Sequence, residues 1–257
     1  MELKEAIVLR SLDYKDSSKI LYLYSDEGLK SVIAHSVKKM NSINRFLSQN
    51  GTLIRLNYTK SDFPSLKEGE LVNDYPNIKK DLVSYTYMNH LMELIGNTIP
   101  EDSDHVKLYS FIKRLFLLFD KGIDPEMLSF IFELKLLYFL GYGLNFRECN
   151  ICSKKDDLVF SIDNGGLVCR EHLTEKQTAY DASVYINIMK LYVIDINKTE
   201  IPVFEKNERV TIRHIIDVLY EDYVSYKTKS RGIIRQIQKY WKELASFFWF
   251  YGIIYAV

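Results

Sequence analysis

Residues Cys149–His172 read CNICSKKDDLVFSIDNGGLVCREH, and they hold all three cysteines of the chain and one of its five histidines. Three thiols cannot pair completely, so a disulfide framework leaves one over. The opening residues MELKEAIVLRS carry two acids and no apolar run, so no secretory signal peptide is expected. In a reducing compartment, clustered thiols are more often metal ligands than crosslinks. The pattern is C-x2-C, sixteen residues, then C-x2-H. Cys149, Cys152, Cys169 and His172 thus supply three thiolates and one imidazole, a full tetrahedral set for one zinc ion with no open position, which implies a structural rather than a catalytic metal. The intervening LVFSI and LVC runs flank DNGG at Asp163 to Gly166. Asn-Gly between apolar runs predicts a hairpin with a type I′ turn that carries the second ligand pair back to the first. The competing reading is a chance cluster of thiols on a bare hairpin, with His172 an ordinary surface residue.

Working outward, the chain changes character near residue 76. Before it lie short apolar or alternating runs, AIVLR (6–10), KILYLYS (19–25), SVIAHSV (31–37), TLIRLNY (52–58) and GELVN (69–73), separated by DEG, QNG and FPS turn signals. Short strands at this spacing predict a small barrel or sandwich, an OB-type barrel among them. After Pro76 the period lengthens: Ile78, Leu82, Tyr85, Met88, Met92 and Ile95 fall at helical steps. Further helices are predicted at Val106–Phe119, from Pro125 through Leu140, near Ala182–Tyr192 and near Val210–Tyr226. The segment MLSFIFELKLLYFL (127–140) is apolar on nearly all sides and predicts a buried central helix. The expected class is α+β: an N-terminal OB-fold β-barrel (1–76), then a helical bundle (77–147 and 178–257) with an inserted zinc-finger-like hairpin (148–177).

Composition is that of an ordinary globular chain, with 47% hydrophobic and 26% charged residues among 257. No apolar run reaches the length of a membrane span. The 34 basic residues equal the 34 acids, so any case for nucleic acid rests on local charge. Between Gly28 and Ser61 the chain carries Lys30, Lys38, Lys39, Arg45, Arg55 and Lys60 and no acid. Several lie in VKKMNSINRFLSQNG, a loop between strands. A basic loop on a small barrel can track a phosphate backbone while aromatics such as Phe46 and Tyr58 stack on bases. The alternative is a solvated basic edge that discourages sheet aggregation.

Together these parts resemble the RecO recombination-mediator proteins of bacteria. AIVLRSLDYKDSSKILYLYSDEGLKSVIAHSVKK resembles the family's opening. FELKLLYFLGYGLNFRECNIC (132–152) resembles its buried helix, Leu-Gly turn and first zinc half-site, and KTKSR (227–231) resembles a late basic-serine motif. The resemblance implies an OB domain, a helical domain and a zinc insert. It also implies a cytoplasmic, nucleoid-associated, non-enzymatic protein that binds single- and double-stranded DNA and anneals strands. With RecR, such a protein loads RecA onto strands coated by single-strand-binding protein. This chain departs from the pattern in three places. His172 stands where a fourth cysteine is common, His35 where a basic residue is usual, and Phe130 and Ile131 where some members carry arginines that help hold the acidic tail of single-strand-binding protein. The helix around Phe132 and Lys135 is the nearest candidate for that tail. The alternative function is a protein-interaction adaptor with a structural zinc site and no direct DNA contact. No nucleophile–base pair or phosphate-cradling glycine loop points to an enzyme.

The last thirteen residues, ASFFWFYGIIYAV (245–257), carry no charge. As a helix they reach roughly 20 Å, short of the ~30 Å hydrocarbon core. Such a segment is expected to be covered by the bundle itself, led in by a helix from Arg235 to Leu244, ahead of a dimer partner or a membrane surface.

Overall fold

The structure, a computed structural model, describes residues 3–237 and 239. The segment Ala245–Val257 and the end of the helix expected to precede it lie outside the described residues.

Five antiparallel strands come first: β1 (Lys4–Tyr14), β2 (Ser18–Ser25), β3 (Gly28–Ala34), β4 (Leu53–Tyr58) and β5 (Leu66–Asn73), in the order β3-β2-β1-β4-β5. The period-two logic of a strand explains why AIVL is apolar throughout. Ala6 and Val8 point into a core with Leu21, Leu23, Val32, Ile54 and Leu56. Ile7 and Leu9 point the other way, into the helical core. The sheet curls until its two edges meet. Ile33 N–H donates to Pro64 O at 2.8 Å, and Ile33 bridges Ser65 in parallel. This single bridge, with no continuous ladder between β3 and β5, leaves a partly open barrel.

The helical part begins at the buried Tyr75, which adopts a left-handed conformation (φ 50°) and stacks edge-on against Phe116 with centroids 5.6 Å apart. Two helices replace the one expected over Ile78–Ile95: α1 (Pro76–Lys80) and α2 (Leu82–Thr98). The break is at Asp81, extended in backbone, whose carboxylate accepts the Ser84 N–H at 2.7 Å and so restarts the helix. Then come α3 (His105–Asp120) and α4 (Pro125–Phe139). Asp124 caps α4 through the N–H groups of Glu126 and Met127, and Pro125 occupies the first turn, where its missing N–H costs nothing.

As its all-round apolarity predicts, α4 is central. Every residue from Met127 to Leu134 is buried. One of these is Glu133, a fully buried charge. Arg213 reaches it at 2.8 and 3.0 Å, Arg231 at 2.7 Å, and the Ser129 hydroxyl donates to it at 2.7 Å.

After the insert come α5 (Ala182–Val193) and α6 (Lys206–Leu219). Helix α6 starts four residues before the expected Val210, because Glu205 and Glu208 form a reciprocal capping box. A π turn (Tyr220–Val224) ends it, and a last helical segment runs from 229. Among the described residues no helix is long and apolar enough to cross a membrane.

Candidate metal centre and nucleic-acid surface

The insert is a three-stranded antiparallel sheet, β6 (Leu158–Ser161), β7 (Gly166–Cys169) and β8 (Ala179–Tyr180), ordered β7-β6-β8. Strand β8 gives β6 a partner on its second side, where the sequence suggested only a hairpin. The turn also differs from the expected type I′. Ser161 pairs with Gly166, so the loop has four residues, and Gly165 N–H donates to Ile162 O at 2.9 Å. Asn164 is not among the residues with positive φ, whereas Gly165 is left-handed at φ 62°. Four-residue loops are most often built on a type I turn, which needs only this one glycine.

Gly166 has a separate role. The C-x2-C knuckle is tied across it: Leu167 N–H donates to Asn145 O at 2.9 Å, and Asn150 N–H to Leu167 O at 2.8 Å. A Cβ on Gly166 would stand 2.4 Å from Asn145 O, so only glycine lets the two chains approach.

This docking brings the predicted ligands together. The Sγ atoms of Cys149, Cys152 and Cys169 and a ring nitrogen of His172 all lie within 4.8 Å of one another. Cys152 Sγ and Cys169 Sγ are 3.8 Å apart, and His172 Nδ1 is 3.7 Å from Cys149 Sγ and 3.1 Å from Cys169 Sγ. Zinc–sulfur bonds of about 2.3 Å at tetrahedral angles put two sulfurs roughly 3.8 Å apart. A disulfide needs about 2.05 Å, and the three thiols are unpaired. Burial raises the Cys149 thiol, but the backbone N–H groups of Cys169, Cys152 and Ile151 together with His172 outweigh it and bring it to about 6. Burial pushes Cys169 the other way, helped by its contacts with Cys152 and Cys149. One low and one raised thiol is what crowded thiols show when they share protons; a dication would draw all three to thiolate. The residues present therefore fit a metal ion. They would hold it as a fold-closing crosslink among β7, the knuckle and His172.

The six basic residues predicted to meet DNA fall into three places. Lys38, Lys39 and Arg45 stay together in the β3–β4 loop, which folds as a turn of 3-10 helix over Ile43–Ser48 capped by Ser42. Lys38 pairs with Asp13 at 2.8 Å, while Lys39 and Arg45 form no ion pair among the described residues. Phe46 and Met40 are exposed beside them. Lys30 and Lys60 meet elsewhere, lining a cavity of about 670 Å³ around Tyr58. Lys30 Nζ lies 5.0 Å over the Tyr58 ring. Lys4 joins this second group; sequence reasoning missed it because it lies outside the acid-free stretch and is carried in by β1. Arg55 is set apart on the sheet, between Glu70 at 3.0 Å and Glu5 at 3.7 Å. His35 is held by Ser18 and Ser65 at 3.3 and 3.4 Å.

The helix carrying Phe132 and Lys135 borders an apolar cavity of about 720 Å³, walled by Phe111, Tyr138, Phe139 and Ile194 with Lys107 and Lys135 at its edge. Phe132 itself is buried beneath it, stacked on Phe111 at 6.3 Å. Lys135 is half-buried and donates to Tyr192 O at 3.0 Å.

Comparison with known proteins covers nearly the whole chain. Residues 1–75 match the family described as Recombination protein O N terminal, and residues 79–232 that described as Recombination protein O C terminal. The DNA repair protein RecO of Bacillus cytotoxicus is 29% identical over 247 residues, covering 92% of this chain and 97% of that one. Those of Bacillus cereus and Bacillus anthracis are 26% identical over 244 residues, with the same coverage. The chain belongs to the RecO family of DNA repair proteins.

Proposed function

We propose that this chain is a DNA-binding recombination mediator whose N-terminal part is an OB-fold, whose insert is held by one structural zinc, and which acts by binding rather than by bond-making chemistry. The observation that carries this reading is the loop of Lys38, Lys39 and Arg45. It is basic, exposed, next to Phe46, and attached to a partly open five-stranded barrel, the arrangement by which OB folds hold a single strand. Lys39 and Arg45 are the stronger phosphate contacts, because Lys38 must first leave Asp13. The Tyr58 group of Lys30 and Lys60, joined by Lys4 once it leaves Glu27, is a second patch, and Arg55, paired with two acids, is a minor contributor. The units are 1–76, a helical domain (77–147 and 178–257) and the insert from 148 to 177.

On this reading the protein binds single- and double-stranded DNA, anneals complementary strands, and with RecR helps RecA replace single-strand-binding protein. The cavity beside Lys135 suits the acidic, apolar tail of single-strand-binding protein: aromatic walls for an apolar end and Lys135 for a carboxylate, beside Asp195 and a Lys107 already paired with Asp104 at 2.8 Å. That cavity is also what an adaptor reading would use, and the two differ on DNA alone. Anisotropy of a labelled single-stranded oligonucleotide separates them. Binding that weakens steeply with salt supports the mediator; no binding at low salt leaves the adaptor.

A further inference from the structure

A groove of about 810 Å³ separates the outer face of β1, β2 and β3 from α2 and the start of the last helical segment. Its barrel wall is set by a β-bulge between Val8 and Arg10. Strict alternation would send Arg10 after Val8 into the barrel interior. The bulge instead places it opposite Tyr22, with its guanidinium 4.0 Å over that ring. The facing wall carries Tyr85 and Asn89 on α2, then Tyr226 and Lys229. Both of these tyrosines pack on the helical core and also line the groove.

The charge in this groove is not balanced. Its lining holds three cations, Arg10, Lys30 and Lys229, and one acid, Glu93. Glu93 is already engaged: it accepts the N–H groups of Lys229 and Ser230 at 2.8 and 3.1 Å and the Ser230 hydroxyl at 2.6 Å, capping the last helical segment. Arg10 and Lys229 are exposed and form no ion pair among the described residues, and the Asn89 amide has no hydrogen-bond partner among them. Cations from two parts of the chain, rings between them and a free amide suit an anionic polymer that carries flat bases. An acidic peptide would meet the cations but give the rings nothing to stack on. A duplex would meet them too, but its base faces are covered by one another, whereas unstacked bases can lie on tyrosine.

The groove also continues the basic loop. Asp13, which holds Lys38, is three residues along β1 from Arg10, about 10 Å. At the other end of the loop, Asn50 lines the groove and accepts the Ser11 N–H at 2.9 Å. We propose that the groove holds single-stranded nucleic acid running on from the loop, with Arg10 and Lys229 on its phosphates and Tyr85 and Tyr226 under its bases. The helical domain is then half of the strand-binding surface, and selectivity for single strands arises here, where the rings are, rather than at the loop.

This proposal rests on the DNA-binding reading, and its test separates the two. Anisotropy of a labelled oligothymidylate is followed against salt with the full chain, beside a duplex of the same length. Both replaced side chains are exposed and outside any ion pair, so R10A/K229A keeps the fold, as circular dichroism checks. On the single strand this variant should bind several-fold more weakly and flatten the slope of log K against log salt by up to about 1.4, two contacts at about 0.7 each. On the duplex the loss should be smaller. Irradiation of an oligonucleotide carrying 5-iododeoxyuridine should crosslink Tyr85 or Tyr226, and polyglutamate should compete poorly. Wild-type affinity and slope in R10A/K229A would overturn the proposal and leave the loop reading standing. So would an equal loss on single strand and duplex, crosslinks confined to the loop around Phe46, or polyglutamate competing as well as the oligonucleotide. A wild type that binds neither nucleic acid would remove the DNA-binding reading and this proposal with it.

Discussion

Arg231 Nη1 lies 2.7 Å from Glu133 Oε2, joining the last helical segment to the middle of the central helix. Arg213 binds the same carboxylate from α6, and Asp217 accepts from Arg231 and, at 3.1 Å, from Arg235. The His90 imidazole fills the remaining space, 2.7 Å from Thr228 Oγ1 and 3.3 Å from Arg231. The KTKSR motif thus anchors the last helical segment through Arg231. Arg231 is committed to Glu133, and Lys227 pairs with Glu221 at 2.7 Å.

Removing the shared carboxylate should destabilise the domain. Glu133→Gln removes the carboxylate both guanidinium groups share in the interior and leaves Asp217 alone to balance them, which costs about 3–5 kcal/mol. Urea denaturation measures it. A variant within 1 kcal/mol or so of wild type, the scale of an exposed ion pair, would show that the cluster does not hold the helices together.

The same cluster sets an acid limit. Despite burial, the two arginines hold Glu133 well below the usual carboxylate range. Burial lowers His90 despite the Glu133 charge. A group whose folded pKa is depressed contributes stability above its unfolded pKa and loses it as pH falls toward the folded value. His90 therefore weakens the fold from about pH 6.5 downward, and Glu133 from about pH 4.3 downward. His90→Asn should flatten the stability-against-pH curve just below about pH 6.5; an identical slope there contradicts this assignment.

Zinc should be found at about one per chain by metal analysis, lost in Cys169→Ser. Purified protein with no metal and all three thiols freely reactive would exclude the site. Gly166→Ala should weaken metal retention without touching a ligand, because its methyl collides with the Asn145 carbonyl. Full retention under a competing chelator would show that the close approach is dispensable.

Much of this was legible in sequence because it is local. C-x2-C and C-x2-H fix ligand type and number within a short span, and AIVL announces a strand buried on both faces. The buried helix is visible too, but nothing in its apolar pattern marks Glu133 as the centre of a network. The two arginine partners of Glu133 lie 80 and 98 residues away, and no local period points to them. The helix break at Asp81 was hidden by apolar residues that keep helical spacing across it. Strand β8 is only Ala179–Tyr180, too short to show alternation. The split of the basic residues into separate groups follows from strand direction and from acids on neighbouring strands, such as Glu5 and Glu70 beside Arg55.

A peptide with an acidic stretch and an apolar end should bind the cavity beside Lys135 with a dissociation constant in the tens of micromolar, about 6 kcal/mol. Lys135→Ala should weaken it several-fold. Calorimetry showing no heat and no competition at these concentrations would remove this contact.

The most direct measurement is the salt dependence of oligonucleotide binding by the loop variant K38A/K39A/R45A. Each phosphate contact on a single strand contributes about 0.7 to the slope of log K against log salt. Losing the loop should flatten that slope by up to about 2 and weaken binding for every sequence, with the zinc content unchanged. A variant with the wild-type slope and affinity would contradict the account, because DNA would then be held by some surface other than the barrel's basic loop.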